Sequence, residues 1–165
     1  MELIILRHGE AGKRSPVSSQ DSERSLTASG RDEVVEVAES MRGLKMEFDV
    51  IATSPLKRSL ETARIVAKVS KKERNLQIWD ELKPESDRKA LYRRLSNLKS
   101  DSSVLLVGHE PYLSSMIGDL ISDGRECRVI LKKSGLAKVE VSSFAPRPSG
   151  ELRWLLTPRL IRKVS

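Results

Sequence analysis

The chain has 165 residues, of which 38% are hydrophobic and 32% are charged, and this balance predicts one soluble globular domain over residues 1–165. No apolar run approaches the ~20 residues that a membrane-spanning helix needs, and the short LIIL run near the start lacks the flanks of a signal peptide. The single cysteine, Cys127, cannot form an internal disulfide, so we expect a reducing, cytoplasmic location and no membrane association.

The net charge of +7, from 30 Lys and Arg against 23 Asp and Glu, favours anionic partners. Nucleic acid is one such partner, but the two Phe, two Tyr and two Trp are scattered and offer no platform for stacking bases. The sequence also lacks zinc-finger spacing and an RNP-like motif. We therefore expect a basic, solvated surface and no nucleic-acid partner.

Strands and helices alternate along most of the chain. Short aliphatic runs predict buried strands, and apolar residues at helical spacing predict amphipathic helices. In chain order the predicted elements are a strand at 2–6, a loop at 12–25, a helix at 26–43, a strand at 49–53, a helix at 54–69, a strand at 75–79, a loop at 80–86, a helix at 87–98, a strand at 103–108, a helix from Pro111 to near Gly124, and strands at 136–144 and 151–156. This order predicts an α/β fold, a three-layer sandwich whose mostly parallel central sheet is flanked by helices.

Capping residues mark the ends of the first two predicted helices. Thr27 or Ser29 suits the N-cap of the first helix, and Gly43 suits its end. Ser54 suits the N-cap of the second helix, where Pro55 would take the first helical position. Proline at a helix start would leave neighbouring N–H groups free to point into a crevice.

The only two histidines of the chain each follow an aliphatic run. His8 follows the first predicted strand and His109 follows the strand at 103–108, so both lie where open α/β sheets place their binding crevice. Arg7 directly precedes His8, and Arg58 lies in the first turns of a helix that begins at the same edge. The sequence therefore predicts that these four side chains converge. Glu10 is expected either in this site or as a surface carboxylate that steadies Arg7.

These residue types suit phosphoryl transfer. A neutral imidazole is a good nucleophile near neutral pH, and attack on phosphorus needs positive charge around the equatorial oxygens. Arg7 and Arg58 would supply that charge as fixed forks matched to phosphate geometry, and Gly9 would let the backbone approach closely. Such a phosphate pocket works without metal, so we expect neither a metal site nor a cofactor.

Four sequence blocks resemble those of a known family. LRHGEAG, DSERSLTASG, SPLKRSLETA and VLLVGHEPYLS lie in the expected order and spacing between residues 6 and 114. LRHGEAG resembles the RHG signature of the histidine phosphatase superfamily, whose fold is phosphoglycerate mutase-like. The other three blocks are similar to the corresponding motifs of its SixA-type phosphohistidine phosphatases. The resemblance implies a single histidine phosphatase domain.

The resemblance also implies a role for each matching residue. His8 would be the nucleophile that becomes phosphohistidine, and Arg7 and Arg58 would bind the phosphoryl oxygens. His109 would donate a hydrogen bond to the same group and stabilise the transition state. Four further matching positions are expected to be structural: Asp21, Arg24, Gly30 and Thr62.

Phosphomonoesterases of this superfamily usually carry a carboxylate after the third strand that protonates the leaving alkoxide. The stretch DELKPESD offers Asp80, Glu81, Glu85 and Asp87, of which Glu81 is the candidate general acid. A phosphohistidine leaves as imidazole, a far weaker base than an alkoxide, and needs little help from an acid. The asparagine that follows RHG in mutases is missing from GEAGKRSP, which disfavours a mutase.

The resemblance thus implies a phosphohistidine phosphatase that acts on a phosphohistidine-bearing protein. The connections are too brief for a lid, so the crevice would stay open, and a basic rim would attract an acidic domain. One alternative is a phosphatase for a small phosphorylated substrate, a phosphomonoester. Another is a catalytically weak phosphate-binding module, against which the presence of both histidines and both arginines argues.

Overall fold

The computed structural model describes residues 1–164, which form one six-stranded sheet. Its strands are β1 (Glu2–Arg7), β2 (Val50–Thr53), β3 (Leu76–Ile78), β4 (Ser103–Gly108), β5 (Leu136–Ser143) and β6 (Ser149–Leu156). Their spatial order is β3-β2-β4-β1-β5-β6. The first four strands are mutually parallel, whereas β5 and β6 pair antiparallel. The predicted α/β class with a mostly parallel sheet is confirmed.

Helices cover both faces of this sheet. They are α1 (Ser18–Ser22), α2 (Ala28–Gly43), α3 (Lys57–Val69), α4 (Arg88–Ser96), α5 (Tyr112–Ile121) and α6 (Pro158–Val164). Short 3-10 turns lie at Glu73–Asn75 and Asp80–Leu82. In the described part of the chain, no helix is both long enough and apolar enough to cross a membrane.

The two sides of β1 pack into two different hydrophobic clusters. Leu3 and Ile5 join the cluster that holds the apolar residues of α4 and α5. Ile4 and Leu6 join the cluster that holds those of α2, α3 and α6. All four side chains are buried, and burial of each contributes about 1.5–3 kcal/mol. The predicted three-layer sandwich follows from this pattern, because an aliphatic strand with no polar side must be covered twice.

The start and end of α2 lie where the sequence predicts them. Thr27 is the N-cap, since its hydroxyl oxygen accepts the N–H of Gly30 at 3.0 Å, and Ser29 lies inside the helix. Gly43 is the last helical residue. The prediction is confirmed because a short polar side chain before an amphipathic run is a strong local signal.

The predicted start of α3, with Ser54 as N-cap and Pro55 as the first helical residue, is wrong by two residues. The helix begins at Lys57, and its N-cap is Leu56, which offers no side-chain hydrogen bond. The Ser54 hydroxyl instead accepts the N–H of Leu56 at 3.3 Å and contacts a histidine ring. Two further helices, α1 and α6, were not predicted, because α1 lies in a polar segment expected as a loop and α6 is only seven residues long.

Candidate active site

The sheet register brings the two histidines to one edge. Arg7, the last residue of β1, pairs with Gly108, the last residue of β4. The next residue, His8, donates its backbone N–H to the carbonyl oxygen of Gly108 at 3.1 Å. His109 follows Gly108, and the two imidazole centroids lie 5.1 Å apart. Both rings are buried.

Arg58 reaches the same point from the neighbouring strand. The end of β2 is joined to β4 by a hydrogen bond from the Ser54 N–H to the carbonyl oxygen of Val107, at 3.1 Å. The first turn of α3 follows and carries Arg58, whose Nε donates to Nε2 of His8 at 3.3 Å. Its Nη1 donates to the carbonyl oxygen of Asp21 at 2.8 Å. The guanidinium is therefore held against the ring of His8.

The hydrogen bonds of His8 define its tautomer. Nδ1 lies 2.7 Å from the carbonyl oxygen of Gly9, which only accepts hydrogen bonds, so we assign the ring proton to Nδ1. Nε2 then keeps its lone pair and accepts from Arg58. Burial lowers the pKa of His8 to about 3; the Gly9 carbonyl opposes this, and the charges of Arg58 and Arg7 add to it. At neutral pH the ring is an uncharged base with its lone pair on Nε2.

Two buried hydroxyls contact the second histidine. Nε2 of His109 lies 2.9 Å from Oγ of Ser54 and 3.2 Å from Oγ of Ser59. Since the Ser54 oxygen already accepts the Leu56 N–H, its proton is free to donate to the ring. Burial lowers the pKa of His109 to about 2, and the neighbouring positive charge of Arg58 adds to this effect. The neutral ring then carries its proton on Nδ1, which is buried without a partner in residues 1–164.

Arg7 keeps unused donor capacity. Its Nη1 donates to the carbonyl oxygen of Leu131 at 2.9 Å, while its buried Nε has no partner in the described chain. Burial lowers the pKa of Arg7, and the charge of Glu110 opposes that shift. The expectation that Glu10 steadies Arg7 is wrong, because Glu10 pairs with Lys133 at 3.2 Å on the surface.

Gly9 packs closely against α2 and contacts two residues of the site. A Cβ at this position would lie 2.6 Å from Cγ2 of Val34 in α2, so the close approach is to that helix. Its N–H donates to Oγ1 of Thr62 at 3.1 Å, and its carbonyl holds His8. The predicted close approach of the Gly9 backbone to phosphate stays a prediction. Gly30 packs in the same way, since its Cβ would lie 2.2 Å from the carbonyl oxygen of Glu10.

The four converging residues line a cavity of about 600 Å³. The other lining residues are Ala11, Gly12, Lys13, Arg14, Ser15, Asp21, Arg24, Pro84, Glu110 and Lys133. A groove of about 740 Å³ beside α4 contains neither histidine, so we assign the chemistry to the smaller, histidine-lined cavity.

Asp21 and Arg24, expected to be structural, line this cavity. Their side chains form an ion pair at 2.8 Å, and the Asp21 carboxylate also lies 3.4 Å from Nη1 of Arg58. Burial alone would raise the pKa of Asp21, but the hydrogen bond from Arg24 and the neighbouring positive charges lower it. No sequence pattern indicates that Ser54 and Ser59 contact His109. The lining cations Lys13, Arg14 and Lys133 have no predicted role either, and the KR pair directly after LRHGEAG is the one visible signal for two of them.

Glu81 is not brought into the cavity. Both of its carboxylate oxygens accept from Nη1 of Arg94, at 3.1 and 3.0 Å, and that guanidinium lies 4.3 Å above the ring of Trp79. From the same loop, Pro84 lines the cavity instead. A carboxylate that is directed at an arginine outside the cavity is not positioned to protonate a leaving group inside it. No group of three His, Cys, Asp or Glu side chains among the described residues could hold a metal ion.

The sequence profile of the Histidine phosphatase superfamily (branch 1) matches residues 3–87. An uncharacterized protein of Picosynechococcus is 31% identical over 138 residues, which cover 82% of each chain. The phosphohistidine phosphatase SixA of Escherichia coli is 26% identical over 160 residues, which cover 96% of this chain and 94% of that one. A solved structure of the protein histidine phosphatase SixA with tungstate superposes with a TM-score of 0.85 at 26% identity, over 98% of this chain and 99% of the other.

The fold is phosphoglycerate mutase-like, as the sequence predicts. The chain belongs to branch 1 of the histidine phosphatase superfamily, as a SixA-like phosphatase of that family.

Proposed function

We propose that this protein hydrolyses phosphohistidine on another protein, through a covalent phosphohistidine on its own His8. The observation that carries the proposal is the state of His8: a buried, neutral ring whose Nε2 lone pair faces Arg58. A histidine with its second nitrogen donating to a carbonyl oxygen is ready to attack, and its ring is held in one orientation.

The first step moves the phosphoryl group from the substrate to His8. The substrate ring reacts with a proton already on its second nitrogen. Nε2 attacks phosphorus as the bond between phosphorus and that ring breaks, so the ring keeps its proton and leaves as neutral imidazole. The ring of His8 gains positive charge as Nε2 forms the new bond, and the carbonyl oxygen of Gly9, 2.7 Å from Nδ1, stabilises that charge. Water then cleaves the bond between phosphorus and Nε2, which releases inorganic phosphate and restores the neutral ring.

Three groups would hold the phosphoryl oxygens during both steps. Arg58 is fixed beside Nε2, and Arg7 has a buried Nε without a partner in residues 1–164. His109 offers the Nδ1–H that its two serine contacts leave free. Preorganised donors of this kind stabilise the charge of the equatorial oxygens in the transition state.

The choice of substrate rests on the leaving group. Glu81 is paired with Arg94 outside the cavity. Glu110 lines the cavity, and its Oε1 accepts the N–H of Ser114 at 3.1 Å. Departure of imidazole needs less help from a general acid than departure of an alkoxide, so a cavity into which Glu81 does not project suits phosphohistidine. The name of the Escherichia coli relative and the tungstate, a tetrahedral oxyanion, in the superposed SixA structure support the same proposal.

The test compares the two histidines as matched substitutions. With a phosphohistidine peptide as substrate, His8→Ala should abolish turnover and the acid-labile, alkali-stable phosphate that forms on the protein. His109→Ala should slow turnover yet still form that phosphoenzyme. Circular dichroism should show that both variants are folded. Substantial turnover by folded His8→Ala would overturn the assignment of the nucleophile, and wild-type preference for an alkyl phosphate would favour the small phosphomonoester instead.

A further inference from the structure

Two cations at the mouth of the active-site cavity have no counter-charge. Lys13 and Arg14 line the cavity that contains His8, and both residues are exposed. Neither belongs to any ion pair within residues 1–164. The charge of Arg14 is close enough to contribute to the lowered pKa of both Arg7 and Arg58. The pair is therefore part of the electrostatic surroundings of the phosphoryl site.

The backbone on either side of this pair is tied down. The Gly12 N–H donates to the carbonyl oxygen of Ser25 at 3.1 Å, and the carbonyl oxygen of Gly12 accepts from Nη1 of Arg24 at 2.8 Å. On the other side, the Ser15 N–H donates to the carboxylate of Asp21 at 3.3 Å. These three hydrogen bonds fix the backbone at Gly12 and Ser15, on either side of two exposed cations that line the cavity.

The charge of the cavity exceeds what one phosphoryl group offsets. Six Lys and Arg line it against two Asp and Glu, which leaves an excess of four positive charges. A phosphoryl dianion offsets half of that excess. Asp21 faces both Arg24 and Arg58, Lys133 pairs with Glu10, and the charge of Glu110 acts on Arg7. Lys13 and Arg14 carry two of the lining charges that no ion pair offsets.

We propose that Lys13 and Arg14 form a second anion subsite, which binds a carboxylate on the substrate protein beside its phosphohistidine. Arginine presents a fork matched to a carboxylate, and lysine adds a mobile point charge. This inference rests on the proposed function, because it concerns the surroundings of the same substrate residue. Ion pairs at an exposed position are weak and screened by salt, so we expect an effect of about tenfold at low ionic strength.

The experiment compares two phosphohistidine peptides of equal length, one with glutamates beside the phosphohistidine and one with glutamines. Wild type should prefer the acidic peptide by about tenfold in kcat/KM, through a lower KM, and added salt should shrink this preference. The double variant Lys13→Ala/Arg14→Ala should reduce the preference to less than about twofold. The matched control is Lys99→Ala/Arg147→Ala, which also removes one lysine and one arginine from exposed positions. Lys99 precedes β4 and Arg147 lies in the β5–β6 turn, so both are at the end of the sheet opposite the active site. This control should keep the preference.

Equal kcat/KM on both peptides by wild type would overturn the subsite while leaving phosphohistidine turnover intact. Loss of the preference in the control variant as well would also overturn it, since the effect would then come from net charge. A third outcome would separate the two proposals. Wild type would turn over neither peptide but would prefer an alkyl bisphosphate to an alkyl monophosphate, and the double variant would lose that preference. This result would overturn the proposed function and retain the second anion subsite. The two failures are therefore distinguishable.

Discussion

Both imidazoles should stay uncharged to far lower pH than histidine does in solution. Burial, with the charges around the site, lowers the pKa of His8 to about 3 and that of His109 to about 2. At pH 5, a ring with the ordinary pKa of about 6.5 is only about 3% neutral, whereas one with a pKa of about 3 is about 99% neutral. The concentration of neutral nucleophile at pH 5 thus differs about thirtyfold between the two cases.

The same shifts make folding pH-dependent, with a defined sign. Between pH 6 and pH 4 the unfolded chain takes up a proton at each histidine while the folded chain does not. The free energy of unfolding therefore falls as the pH falls, by about 1.4 kcal/mol per pH unit for each histidine. This contribution to stability is fully present above about pH 6.5, the ordinary pKa of histidine in the unfolded chain. It is lost progressively as the pH falls towards the pKa values of about 3 and about 2 in the folded chain.

Two measurements check this prediction. Long-range proton–nitrogen NMR spectra report the charge and tautomer of each ring, and because the chain has only two histidines, His8→Asn and His109→Asn assign the signals directly. Urea unfolding at pH 6, 5 and 4 gives the slope of stability against pH. The slope of each Asn variant should be smaller than that of wild type by about 1.4 kcal/mol per pH unit. The carboxylates contribute equally to the slope of wild type and of both variants, so their contribution cancels in this comparison. A midpoint of His8 near 6.5, or an unchanged slope in the variants, would refute the reasoning.

The remaining predictions concern single contacts of the site. Arg58→Lys keeps the charge but loses the fork that faces Nε2 of His8, so kcat should fall about 10²-fold or more; activity within about threefold of wild type would contradict this. The double variant Ser54→Ala/Ser59→Ala should slow turnover about tenfold and shift the ring tautomer of His109 seen by NMR. Ser59→Ala alone should reduce turnover less, because Ser54 still contacts His109. Glu81→Gln should change kcat/KM on a phosphohistidine peptide by less than about threefold, whereas a general acid would cost about 10²–10⁴-fold. Added EDTA should leave turnover unchanged, and loss of activity on chelation would count against the metal-independent site.

The convergence of the two histidines could be predicted because it depends only on strand direction. An aliphatic run predicts a buried strand, parallel strands end at one edge, and His8 and His109 come directly after two such runs. Arg58 follows from the same reasoning, since its helix begins at that edge. None of these inferences requires a side-chain conformation.

The contacts of His109 with Ser54 and Ser59 could not be predicted in this way. They depend on the side-chain conformation of His109 after β4 ends, and the spacing of apolar residues in the sequence does not predict that conformation. The prediction for Ser54 failed for a related reason: a serine before a proline is a good N-cap by composition, but its hydroxyl is taken by the turn and by the ring. Likewise Glu81 has a suitable position in the chain, but its carboxylate is held by Arg94, a partner that sequence spacing did not suggest.

The positive charge of the cavity has two opposite effects on catalysis, and the order of events reconciles them. In the empty site, Arg58 and Arg7 help keep His8 neutral, which preserves the lone pair that attacks. A cation-rich site would then oppose the positive charge that the ring gains as the bond to phosphorus forms. The substrate removes this conflict, because its phosphoryl dianion offsets the guanidinium charges before the ring becomes positive. Before substrate binds, the same arginines thus favour the neutral form of His8. After binding, the phosphoryl oxygens neutralise the guanidinium charges, so the arginines do not oppose the positive charge of the phosphorylated ring.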